Sequence, residues 1–155
     1  MIILIDYHSG MLADAIAAED HLALVSIRDP GATASVKTGW RLLLEIEFAD
    51  ETHVDGAGPG MAAEHADLVV DFCSHLGKLP ESVGLIMRCD QGRRRSAALA
   101  KALGEWCGLW VANPGLRYCR RTYQTMRRQI GARIPPATGK FGGVVQRLAG
   151  SWATH

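Results

Sequence analysis

"LIMRCDQGRRRSAALAKAL", residues 85–103, is the stretch on which the reading of this chain turns. An apolar run beginning at Val83 stops at one cysteine, Cys89, and is followed by a glycine, three arginines, a serine and alanine-rich helical spacing. The run predicts a buried strand ending at Met87 or Arg88, because it is short, continuous and free of helix-sized periodicity. The spacing from Ser96 to Trp106 predicts a helix. Between the two lies a loop that opens at Cys89 and closes near Ser96.

A loop in that position has chemistry available to it. Successive backbone N–H groups ahead of a helix N-terminus can converge on a tetrahedral oxyanion, and the helix dipole favours negative charge there by about 0.3–1 kcal/mol. A thiol on the floor of such a cradle feels the same field. It is expected to lose its proton more readily than a free cysteine, near ~8.5, and the thiolate is the nucleophilic form. Arg95, on the opposite rim, has the planar fork that grips two phosphate oxygens at once. Gly92 permits positive φ and close backbone approach. Ser96 can donate a hydrogen bond to the sulfur. The expected oxyanion-binding set is thus Asp90, Gln91, Gly92, Arg93, Arg94 and Arg95, with Cys89 beneath it. The plainer alternative is a strand–turn–helix carrying an inert buried thiol and a solvated basic turn.

Working outward, Met1–Asp6 predicts a short strand, and Leu12, Ala15, Ile16 and Glu19 fall at helical spacing. Leu22–Ile27 predicts a second strand stopped by the turn "RDPG". Trp40–Phe48 predicts a third, with Leu42, Leu44 and Ile46 on one face. The polar loop "ADETHVDGAGPG" follows; its glycines fit no nucleotide-binding fingerprint. Met61–Leu76 carries an amphipathic stripe of Ala62, Ala66, Val69, Phe72, Cys73 and Leu76. Leu116–Ile130 predicts a helix with Arg120, Arg121, Arg127 and Arg128 exposed, and Val144–Trp152 a short last helix. Strands alternating with helices predict an α/β domain spanning residues 1–155, with a central, mostly parallel sheet flanked by helices.

The order strand, Cys-x-x-Gly-x-x-Arg-Ser, alanine-rich helix carries a resemblance. "CDQGRRRS" resembles the signature loop of the cysteine-dependent protein tyrosine phosphatases, in particular the compact dual-specificity type of bacteria and phages. "ALVSIRDPG", "LLLEIEFAD" and "AEHADLVVDFCSHL" are similar to further parts of such proteins, so the likeness covers roughly residues 20 to 125. The resemblance implies a twisted, mostly parallel sheet with the loop at the carboxyl end of a strand. It also implies a two-step reaction without metal or other cofactor, in which Cys89 attacks phosphorus, forms a phosphocysteine and is released by water. An aspartate on a separate loop would protonate the leaving oxygen and then activate the water. Asp50, just after "EIEF", matches that acid position best, and Asp55 is the second choice. The family has a histidine immediately before the cysteine where this chain has Arg88. That departure keeps open a catalytically weak or silent phosphate-binding relative. Arg93 and Arg94 keep open a polyanionic substrate, such as a phosphoinositide or an RNA 5′-phosphate, in place of a phosphorylated protein. Sulfur transfer is a further alternative, and is disfavoured by the serine directly after Arg95.

Composition bounds these readings. A hydrophobic share of 48% supports a packed core and argues against disorder. The N-terminus has no basic lead or long apolar segment, so a soluble cytoplasmic protein is expected. The four cysteines, Cys73, Cys89, Cys107 and Cys119, form no CxxC pair or zinc-type spacing, which fits reduced thiols. The net charge of +1 hides an asymmetry. Residues 1–105 carry nine basic and sixteen acidic side chains, and residues 106–155 carry eight basic and none acidic. Two expectations follow: the halves neutralise each other, or the basic half meets an anionic partner such as nucleic acid.

Overall fold

The computed structural model describes residues 1–33, 36–50, 59–90, 94–112 and 118–133. Its elements run β1 (Ile2–Ser9), α1 (Gly10–Ala15), β2 (Leu22–Arg28), β3 (Leu42–Glu47), α2 (Ala63–Lys78), β4 (Val83–Cys89), α3 (Arg95–Cys107) and α4 (Arg120–Arg133). The strands form one sheet in the order β1-β4-β2-β3, with every neighbouring pair parallel. This is the α/β architecture expected from the alternation of strands and helices. The expected last helix at 144–152 lies outside the described residues.

Position in the sheet explains the composition of each strand. β4 and β2 are central, and β4 is buried at all seven positions, which accounts for its unbroken apolar run. Strand alternation sends Val83, Leu85, Met87 and Cys89 into the main core, with Val25 and Ile27 of β2, Val69 and Leu76 of α2, and Leu99 and Leu103 of α3. Ile86 and Arg88 face the other side. β3 is an edge strand, and it buries Ile46 while Leu43 and Glu47 remain exposed.

Several boundaries differ from the sequence expectation. β4 continues to Cys89 and α3 starts at Arg95, so the loop between them spans only 90–94. β1 extends through the polar residues Tyr7, His8 and Ser9 because these pair with Met87, Arg88 and Cys89. The first helix ends at Ala15, where Ile16 turns to an extended conformation with φ −68° and ψ 131°. The fourth helix begins at Arg120, not Leu116. α3 closes at Gly108, whose φ of 68° favours glycine, and its Gly104 lies so close to Val111 that an added Cβ would stand 2.4 Å from Val111 Cγ2.

The charge asymmetry is in part an internal one. Arg127 of α4 pairs with Glu105 of α3 at 2.8 Å, and Arg133 pairs with Asp67 and Asp71 of α2. The basic helix is thus docked partly by the acids of the first two-thirds of the chain. Arg120, Arg121 and Arg128 remain exposed. Among the described residues, no helix is long and apolar enough to cross a membrane.

Candidate active site

The carboxyl ends of β2, β3 and β4 bring the chemistry-bearing residues together, the place where parallel sheets present their ligand sites. Cys89 is the last residue of β4 and is 2% exposed. Its Sγ lies 3.2 Å from Ser96 Oγ in the first turn of α3, a buried contact in which the hydroxyl can donate to sulfur. The α3 N-terminus has neither a side-chain cap nor an acidic residue in its first turn. The positive end of its dipole lies at this corner of the sheet.

Arg95, the first residue of α3, is 3% exposed and is held from several sides. Nη1 donates to Asp29 Oδ1 at 2.8 Å and to the Phe48 carbonyl at 2.6 Å. The guanidinium carbon sits 5.9 Å from the centre of the Phe48 ring, within cation–π range. Nη2 is 3.8 Å from Asp90 Oδ2, too long for a hydrogen bond. Nε is buried with no hydrogen-bond partner among the described residues. Leaving such a donor unmet costs on the order of 1–3 kcal/mol, so Arg95 retains a driving force to meet an acceptor.

Asp50 follows β3 and is 8% exposed. Arg94 Nε lies 3.2 Å from Asp50 Oδ2, although its N–H is not aimed well enough for a directed hydrogen bond. The Phe48 carbonyl that receives Arg95 lies two residues before Asp50, so both arginines tie the segment after β3 to the start of α3. The Arg94 carbonyl in turn accepts from Cys119 N at 3.0 Å, which ties the approach to α4 to the same corner.

Of the residues singled out in the sequence, Cys89, Arg95, Ser96, Arg94, Asp90 and Asp50 meet at this end of the sheet. Gln91, Gly92 and Arg93, with Asp55, lie outside the described residues. Arg88 points away from the thiol: its Nη1 donates to Asp14 Oδ1 of α1 at 2.6 Å on the opposite sheet face, and the side chain is buried. Asp14, Asp29 and the Phe48 carbonyl were not among the expected site groups. Asp29 read only as part of a turn; its placement directly after a strand that neighbours β4 was the available signal.

The other thiols differ in setting. Burial pushes Cys73 far up, helped by the nearby Cys107, and pushes Cys107 up to about 11. Both remain protonated near neutral pH. Among the described residues, no group of three or more His, Cys, Asp or Glu side chains converges as a metal site. No family model matches the chain, and neither the curated proteins nor the solved structures give a match.

Proposed function

We propose that the chain is a cysteine-dependent phosphomonoester hydrolase, working through a phosphocysteine in the manner its "CDQGRRRS" loop resembles. The observation that carries this reading is the arrangement around Cys89. A sulfur at the end of a central strand touches a serine hydroxyl at 3.2 Å, beside a helix N-terminus and a buried arginine whose Nε has no acceptor among the described residues. That combination suits an anion seated over the sulfur, with charge stabilised by fixed dipoles and a guanidinium.

In the first step the Cys89 sulfur attacks phosphorus. The S–P bond forms as the bond to the leaving oxygen breaks, and Asp50 gives that oxygen a proton. Arg95 and the loop N–H groups hold the three spectator oxygens as charge spreads over them. In the second step water attacks phosphorus, Asp50 accepts its proton, and the S–P bond breaks. The Ser96 hydroxyl donates to the departing sulfur. Phosphorylated proteins and aryl phosphates are the substrates this reading favours. Arg94 and Arg93 leave room for polyanionic phosphomonoesters.

The test is turnover of para-nitrophenyl phosphate without added metal, inhibited by vanadate, with Cys89→Ser abolishing it and Arg95→Ala reducing it by about 100-fold or more. One observation favours a second reading, a phosphate-binding module without catalysis. Arg88, in the position where the resembled family has histidine, is engaged by Asp14 on the other sheet face. Phosphate or phosphopeptide binding with no turnover over hours would select that reading.

A further inference from the structure

The Arg95 clamp already has two carboxylates of its own. Asp29, at the end of β2, takes Nη1 at 2.8 Å, and Asp90, the first residue of the loop, stands 3.8 Å from Nη2. Both carboxylates thus stand at the same guanidinium. With both acids ionised, one guanidinium faces two negative charges, and the cluster carries a net charge of −1. The second nearby cation, Arg88, is neutralised by Asp14. A dianion arriving at Arg95 would meet that excess negative charge.

We propose that Asp90 and Asp29 act as a specificity-determining pair that makes oxyanion binding at Arg95 proceed with uptake of one proton by the two carboxyls. The proposal rests on the anion-binding reading of the site. Its geometry has three parts. Nη1 is fully engaged by Asp29 and the Phe48 carbonyl, so Asp29 holds the guanidinium in place. Nε has no acceptor among the described residues, and Asp90 is the carboxylate on the Nη2 side, at 3.8 Å. With two carboxyls at one guanidinium, the second negative charge is unfavourable beside the first, and an oxyanion arriving there makes it more so. Burial, and then Asp29 beside it, push the Asp90 carboxyl above the usual carboxylate range, although Arg95 and Arg88 pull the other way.

The direction follows from these signs. A proton on the pair removes one negative charge from the cluster and so lessens the repulsion an oxyanion meets at Arg95. Oxyanion affinity therefore rises as pH falls through the raised Asp90 range, and it falls again at higher pH as the pair loses its proton. Other groups around the cluster are Arg95 itself, Arg88 with Asp14, the Cys89 thiol, and Arg94 with Asp50. His65 packs against Phe48 at a tilt, with ring centres 5.5 Å apart. These contribute equally to the parent and to a variant changed only at Asp90, so the difference between the two isolates the pair.

Sulfate is the suitable probe, because it stays dianionic across the range and brings no titration of its own. The Cys89→Ser chain serves as parent, which removes the thiol's proton from the measurement. Calorimetric titration of sulfate from about pH 8 to about pH 5 is expected to show affinity rising by up to about tenfold per pH unit, the slope of one proton taken up on binding. Asp90→Asn in that parent is expected to flatten the slope to within about twofold and to bind at pH 8 nearly as tightly as the parent at pH 5. Asp29→Asn is expected to flatten it as well, which covers the case of a poorly folded Asp90 variant. An unchanged slope in either folded variant overturns the proposal. Absence of sulfate binding by the parent at every pH overturns the anion site itself, and with it the proposed function.

Discussion

Arg88 and Cys89 are consecutive in β4, yet their side chains serve opposite faces of the sheet. Cys89 enters the main core and meets Ser96 at 3.2 Å, whereas Arg88 is 4% exposed and donates to Asp14 of α1 at 2.6 Å. The alternation of a strand makes this unavoidable. Arg88 therefore belongs with the packing of α1 and not with the sulfur.

That relationship predicts a stability effect. Arg88→Ala leaves a hole on the covered face and a carboxylate without its partner, and is expected to lower unfolding free energy by about 2 kcal/mol. Asp14→Asn, at a half-exposed position, is expected to cost about 1 kcal/mol or less. Urea unfolding at neutral pH measures both. A larger loss from Asp14→Asn than from Arg88→Ala would contradict the assignment.

Ser96 predicts a kinetic signature. Its hydroxyl helps the sulfur depart, so Ser96→Ala slows the second step more than the first. Turnover is expected to fall about tenfold, in line with one hydrogen bond to a charged group. Pre-steady-state para-nitrophenyl phosphate cleavage is expected to show a burst approaching about one equivalent of product per chain. Loss of turnover with no burst would assign Ser96 to the first step instead.

The buried thiols predict a pH effect on stability. A thiol raised on folding stays protonated in the native chain while the unfolded chain ionises near ~8.5. The unfolded state then binds fewer protons, so stability is fully present below ~8.5 and declines as pH rises toward the folded value. For Cys107 that value is about 11, and Cys73 is raised further. Between pH 7.5 and about 9.5 the loss is expected to be about 1 kcal/mol per thiol. Urea midpoints across this range, compared with those of the Cys73→Ala, Cys107→Ala double variant, give the measurement. An equally steep decline in the variant would rule the thiols out as the cause.

How far the sequence itself carried the reading depends on the range of the interactions. β4 was legible because a central parallel strand is buried on both faces and needs an unbroken apolar run. α2 was legible because one face of it meets the sheet. The polar end of β1 was not, since Tyr7, His8 and Ser9 become strand only by pairing with Met87, Arg88 and Cys89. The helix after it stops early at Ile16, whose backbone turns extended while its N–H meets the Leu12 and Ala13 carbonyls. The Cys89, Arg95 and Ser96 grouping could be read because all three lie within eight consecutive residues. The groups that hold Arg95 could not, because Asp29 and Phe48 lie 66 and 47 residues away and reach it only through the order of strands in the sheet.

The most direct test of the central claim is to mix the chain with para-nitrophenyl phosphate, quench in acid within milliseconds to seconds, and weigh the peptide that contains residue 89. The account predicts one phosphoryl group on Cys89 and, in Cys89→Ser, the loss of both that adduct and turnover. Turnover by Cys89→Ser at the wild-type rate would contradict it.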